Sequence, residues 1–273
     1  MRLAALPAIA LLVGGALTWI GEPEHHLSMT AVGELWADVF RDADRFGLQL
    51  TRLPAAQEMD LGRKLAQRIL AAHTVDTARQ PRLQAITQRL LPHVDRKEIR
   101  YEFHILEAPT INAFALPGGH VFVYTGLIDL LQRDDELAAV VGHEIAHIDQ
   151  RHVVERYQYE MRLRGLGLGD LAALAQLPQA LVHAGYAQYQ EIEADAVGMR
   201  LAVAAGYKPQ GAVDAIRALL PANYAPMVAK RPLEEVVQLG IETVRDYFRS
   251  HPPTAERIRR LEALAAARDK NAR

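Results

Sequence analysis

The stretch His143-Glu144-Ile145-Ala146-His147 sets the reading of the whole chain. On a helix, residues four apart lie about 40° from each other at ~100° per residue, so both imidazoles share one face. Two such rings can ligate one metal ion, and Glu144 projects beside them. A carboxylate there can hold and deprotonate a water polarised by the ion. The pattern points to metal-assisted hydrolysis. Leu137, Val140, Val141, Ile145 and Ile148 make an apolar stripe on the same helix, which begins near Asp134 or Asp135, and Glu144 falls inside that stripe. A carboxylate on an apolar face is costly unless a cation or a partner meets it, so Glu144 is expected at an ion-containing cleft. The competing reading is a helix that carries these three residues for no chemical reason, and only further ligands decide between the two.

A catalytic zinc takes three protein ligands and keeps one position open. One large group of such sites uses a glycine three residues and a histidine six residues after the second histidine, but Gln150 and Val153 stand there. His152 lies nine residues after His143 and falls on the opposite side of a continuous helix, where it reads as a surface or supporting residue. A glutamate on a following helix is the other common solution. Glu191 and Asp195 form an E-x-x-x-D pair that begins 44 residues after His147. Glu191 would bind the metal, and Asp195, one turn later, would hydrogen-bond a ligand histidine or assist proton transfer. Glu193 competes for the ligand role, but it points about 200° away from Glu191 and reads as exposed or ion-paired. Ala194 and Gly198 near the Glu191 face would let another helix approach closely.

Composition narrows the chemistry further. The 273 residues are half apolar, enough for a sizeable core, and carry a net charge of −2, which argues against a dominant nucleic-acid surface. No cysteine is present, which removes disulfides, thiolate zinc sites and the deformylase reading of the histidine pair. Arg2, the apolar run Leu3–Ile20 and the acidic flank Glu22-Pro23-Glu24 read as an export signal or membrane anchor over residues 1–21. Eighteen helical residues span roughly 27 Å, so membrane contact through residues 3–20 is expected, with the main domain outside the cytoplasm.

The rest of the chain reads as mainly α-helical with a small sheet, an α+β fold. An amphipathic helix or connector covers 22–50. Helices follow at about 55–72 and 81–91. At Ile99 the apolar period changes from helical to alternating. Strands are expected over 99–105, 111–116 and 120–124, forming a small antiparallel sheet just ahead of the His-Glu-x-x-His helix. His104 and His120 read as ordinary strand residues. Residues 165–183 read as a Gly-rich loop leading into a short apolar helix, 188–205 as the ligand helix, 209–220 and 233–249 as further helices with a Pro-containing loop between them. A charged helix follows over 254–267, after the rigid turn His251-Pro252-Pro253. The catalytic domain is expected over 51–268, with 269–273 frayed.

Taken together, His143-Glu144-x-x-His147, Glu191-x-Glu193-Ala194-Asp195 and Asn112-Ala113-Phe114-Ala115-Leu116-Pro117-Gly118-Gly119 resemble the HtpX, BepA and CAAX prenyl protease family of zinc metallopeptidases. Gly62, Gly206-Tyr207 and His251-Pro252-Pro253 with Arg257 keep the family order. The resemblance implies a zincin-like fold and one zinc ion per chain on His143, His147 and Glu191. It implies Glu144 as general base and Asp195 as a proton donor. It implies His251 as a regulatory residue or fourth ligand, Arg257 as a stabiliser of the transition state or of the His251 segment, and Asn112, Ala113 and Phe114 as the strand that pairs with substrate. Ala187-Gln188 stand where the family often has Ser-Arg, no tetratricopeptide region follows, and the chain resembles the compact periplasmic or single-anchor bacterial branch. The function implied is a zinc endopeptidase acting on extended or misfolded protein segments in envelope quality control. A chaperone-like binding module with a latched or structural zinc is the alternative. A thermolysin-like or aminopeptidase reading shares the ligands but not the strand motif. No oligomeric state follows from the sequence.

Overall fold

Leu61, Leu65, Ala66 and Ile69 are buried along one side of α1 (Ala55–Ala72), the spacing that amphipathic helices require. The computed structural model describes residues 53–163, 186–220, 247, 251 and 255–271. The chain divides into Met1–Arg52 and Leu53–Arg273, and the described residues all belong to the second unit. The expected leader, the 22–50 helix, the 165–183 loop and nearly all of 221–249 lie outside the described residues. None of the described helices is long and apolar enough to cross a membrane.

After α1 come α2 (Gln80–Leu90), β1 (Glu102–Leu106), β2 (Ala113–Ala115), β3 (His120–Tyr124), α3 (Thr125–Leu130), α4 (Asp134–Asp149), α5 (His152–Leu163), α6 (Gln188–Ala204), α7 (Gln210–Leu219) and α8 (Ala255–Asn271). The final helix therefore continues into the stretch expected to fray. The short α3 went unread because its six residues carry too little periodicity.

The three strands are ordered β1-β3-β2 and form a mixed sheet. β2 and β3 pair antiparallel through the Pro117–Gly119 turn, but β1 and β3 run parallel, with Glu102 opposite His120 and Leu106 opposite Tyr124. The expected all-antiparallel sheet is thus corrected. Alternation tells which face a side chain takes, not which strand lies beside it. Here residues 107–112 carry the chain past the central position, so β2 takes the far side of β3 and β3 returns parallel to β1. Thr125 fixes that passage, its hydroxyl donating to Ala108 O at 2.8 Å. β2 is left at the sheet edge, packed against α4.

The main core lies between the sheet, α1, α2, α4 and α6. α4 is buried along nearly its whole length from Leu137 to Asp149. α6 crosses it backbone to backbone at Gly142 and Gly198: a Cβ on Gly198 would stand 2.7 Å from His143 N. A smaller core of Met199, Val213, Ile216, Leu261 and Ala265 fastens α8 to α6 and α7.

Candidate metal centre

Helical spacing on α4 and the close crossing with α6 bring His143, His147 and Glu191 together. His143 Nε2 lies 3.0 Å from His147 Nε2. Glu191 reaches both rings, Oε2 at 3.5 Å from His143 Nε2 and Oε1 at 3.4 Å from His147 Nε2. His251 enters from far along the chain: its Nδ1 is 3.2 Å from His143 Nε2 and 3.0 Å from Glu191 Oε1. All four side chains are buried. Donors at bond lengths of about 2.0–2.1 Å around a tetrahedral ion stand about 3.3 Å apart, and these separations match. Glu144 is fully buried beside the cluster with neither carboxylate oxygen hydrogen-bonded, and His251 Nε2 sits 3.3 Å from its Oε1. Two buried carboxylate oxygens that accept no hydrogen bond are expensive. A cation and a water bound next to them would relieve that cost, so the residues fit a metal.

The surrounding charges orient this cluster. Asp195 Oδ1 is 3.0 Å from His143 Nδ1, which turns Nε2 towards the other ligands. Arg257 clamps Asp195 through Nε at 2.8 Å and Nη2 at 2.9 Å, lies against Glu191 Oε2, and donates from Nη1 to His251 O at 3.2 Å. Burial would raise the Glu191 carboxyl. The Arg257 charge, with His251, His143 and His147, instead holds it well below the usual carboxylate range. Asp195 is lowered in the same way, Arg257 overcoming desolvation. Burial would lower His143, but its hydrogen bonds to Asp195 and Glu191 win and raise it to about 10. The two carboxylates that favour a proton there would equally favour a cation. Desolvation drives His147 well below its ordinary value, into the neutral form that ligates.

The structure gathers His143, Glu144, His147, Glu191, Asp195, His251 and Arg257 at one place. Arg257 is buried. Asn112, Ala113 and Phe114 lie at the start of the edge strand, all buried. His152 departs from its expected position. α4 stops at Asp149, Arg151 takes a left-handed φ of 66°, and α5 restarts at His152. That reversal brings His152 Nδ1 to 3.0 Å from His147 Nδ1, with Glu193 Oε2 3.2 Å from its other nitrogen. Glu193 thus meets a histidine rather than the metal ligands. Two aromatic residues escaped the sequence reading. Tyr186 stacks on His147 with centroids 3.7 Å apart, and Tyr247 stacks on His251 at 4.7 Å. Only position hinted at them: Tyr186 lies just ahead of the ligand helix, and Tyr247 stands one helical turn before His251.

The sequence profile of peptidase family M48 matches residues 77–265. The mitochondrial metalloendopeptidase OMA1 of Schizosaccharomyces pombe is 29% identical over 184 residues, 65% of this chain and 50% of that protein. The beta-barrel assembly-enhancing protease of Escherichia coli K12 is 26% identical over 177 residues, 58% of this chain and 36% of that protein. The metalloprotease LoiP of Escherichia coli K12 is 29% identical over 224 residues, 78% of each chain. The chain thus spans half or less of the first two relatives and most of the third. Because the family match runs through every residue of the cluster and covers well over half of the chain, this protein belongs to peptidase family M48.

Proposed function

We propose that the chain is a zinc-dependent endopeptidase that cuts extended or misfolded protein segments, with envelope protein quality control as its setting and an exported or membrane-anchored catalytic domain. The observation that carries this reading is the buried Glu144 carboxylate, which accepts no hydrogen bond, beside His143, His147 and Glu191. A purely structural site has no use for such a group. Two imidazoles and a carboxylate suit zinc. Relatives named as metalloendopeptidases and as a beta-barrel assembly-enhancing protease support the reaction and the setting; the mitochondrial ones are a different compartment for a similar domain.

His143, His147 and Glu191 would hold the ion, which supplies Lewis acidity to the substrate carbonyl and to water. Glu144 takes the proton from the attacking water and returns it to the leaving amine. Arg257 keeps Asp195 ionised with both oxygens occupied, so Asp195 acts as a positioning residue for His143 rather than as a proton donor. An extended peptide would add alongside the edge strand β2, with Asn112, Ala113 and Phe114 leading the substrate past the ligands. His251 occupies the space between ligands and base and holds the resting enzyme closed.

Glu144→Gln keeps the shape and removes the base. Casein cleavage should fall at least about 100-fold while zinc content, read by elemental analysis, stays at the wild-type value. Unchanged cleavage by this variant would sink the mechanism; lost zinc would mean that Glu144 is a ligand instead.

A further inference from the structure

On the face of the sheet turned towards α1, three side chains converge that take no part in the cluster on α4 and α6. Glu102 and His104 are two apart on β1 and so project to the same side. The parallel register sets His120 opposite Glu102 on β3, on that side again. One donor atom from each of the three falls within 4.8 Å of the other two. His120 Nδ1 is 3.7 Å and His104 Nε2 is 4.0 Å from Glu102 Oε2. The two imidazoles stack with centroids 6.0 Å apart and planes inclined by 17°. His120 is only 7% exposed, and both ring nitrogens that face Glu102 are buried without a hydrogen bond. Leaving two buried ring nitrogens unpaired is unfavourable, and an ordinary core histidine would find a partner.

We propose that Glu102, His104 and His120 form a second divalent-cation site, bridging β1 and β3, that takes zinc or a similar first-row ion. Two imidazoles and one carboxylate match such ions, whereas magnesium and calcium require mostly oxygen donors. A groove of about 460 Å³ between α1 and the sheet, bordered by Met59, Arg63 and Gly118, gives the ion access and leaves its remaining position open to water. Zinc bond lengths of about 2.0–2.2 Å require donor atoms about 3.3 Å apart. Small rotations close the observed gaps, and the side chain of Glu102, 39% exposed, has the freedom to make them. Arg100 competes for Glu102, but through Oε1 and from an exposed position, leaving Oε2 to the histidines. Desolvation holds both imidazoles below their ordinary value, in the neutral form that ligates. The looser geometry makes this the weaker of the two sites. Its occupancy would tie the outer strand β1 to the central strand β3. None of this depends on the catalytic reading.

The test uses the full chain with His147→Ala and Glu191→Gln, which dismantles the first cluster. In that background Co²⁺ should bind at one ion per chain with tetrahedral absorption bands, and Zn²⁺ should raise Tm. Adding His104→Gln or Glu102→Gln should weaken binding at least about tenfold and abolish the Tm rise. Both residues are partly exposed, so their substitution leaves the fold intact, checked by far-UV circular dichroism. Should the dismantled background not fold, the same answer comes from stoichiometry: two Zn²⁺ per wild-type chain against one in His104→Gln. One ion in the wild type, or a second ion indifferent to His104→Gln, would overturn the proposal.

Discussion

On the proposed reading, the activity of the site turns on His251. Its ring lies within hydrogen-bond distance of His143 and Glu191 and 3.3 Å from Glu144, in the space an attacking water and a carbonyl would share. It is held there by Arg257 on its backbone carbonyl and by the stacked Tyr247 ring. A resting enzyme in this arrangement is competent only in the fraction of molecules from which the ring has moved. His251→Ala should therefore raise casein cleavage, by roughly 3- to 10-fold, with zinc content unchanged. Cleavage that stays level or falls while zinc is retained would reduce His251 to a bystander or a required ligand. The cluster's legibility follows from where its geometry comes from. His143, Glu144 and His147 stand at positions that one helix relates to each other, and Glu191 with Asp195 repeats the logic on a second. His152 supports His147 from a side that a continuous helix would deny it, because the left-handed Arg151 ends α4. Tyr247 and His251 come from a segment far along the chain, which no local spacing brings to the cluster; only the family resemblance points to His251.

At the scale of elements, the α4–α6 crossing sets the metal centre. Gly142 and Gly198 remove the side chains that would hold two helices at their usual distance of about 8–10 Å. A methyl at Gly198 would meet His143 N at 2.7 Å and Gly142 C at 2.9 Å, which are backbone atoms that cannot swing aside. Gly198→Ala should push α6 outward and carry Glu191 away from both histidines. The expected result is a loss of about 1–3 kcal/mol from overpacking together with zinc affinity lowered at least about tenfold. Competition with a chromogenic chelator measures the second, and urea unfolding the first. Zinc affinity equal to wild type would mean that the helices have slack at the crossing and that the glycine pair does not set the ligand distance. The small residues near Glu191 made this approach readable from sequence, as did the helices whose periodicity runs for three turns or more. Strand direction was not readable. The 99–124 region gives the same alternation whether β1 neighbours β2 or β3, and only the packing of residues 107–112 decides.

At the scale of the whole molecule, a buried ionic network joins four segments at the C-terminal end of α4. Glu58 on α1 accepts from Arg96 at 3.1 and 2.7 Å and from the backbone N–H of Gly118 at 3.3 Å. Arg96 in turn donates to Ile148 O at 3.0 Å, and Asp149 receives the N–H groups of Asp95 and Arg96. Through these residues α1, the segment after α2, the turn between β2 and β3 and the last turn of α4 share one set of bonds. Glu58 is 1% exposed, so its removal leaves the buried Arg96 guanidinium with only Glu98 Oε1 and Ile148 O among the partners described for it. Breaking such a pair on one side costs about 3–5 kcal/mol, whereas replacing both partners by apolar groups of similar volume is far milder. Glu58→Ala should therefore lose about 3–5 kcal/mol in urea unfolding, and Glu58→Met with Arg96→Met should recover much of it. Because the network grips the end of α4 that carries His147, the single variant should also release zinc faster, while the double variant keeps it. A single variant within about 1 kcal/mol of wild type would show that the pair behaves as a solvated one. The metal centre would then owe its alignment to the α4–α6 crossing alone.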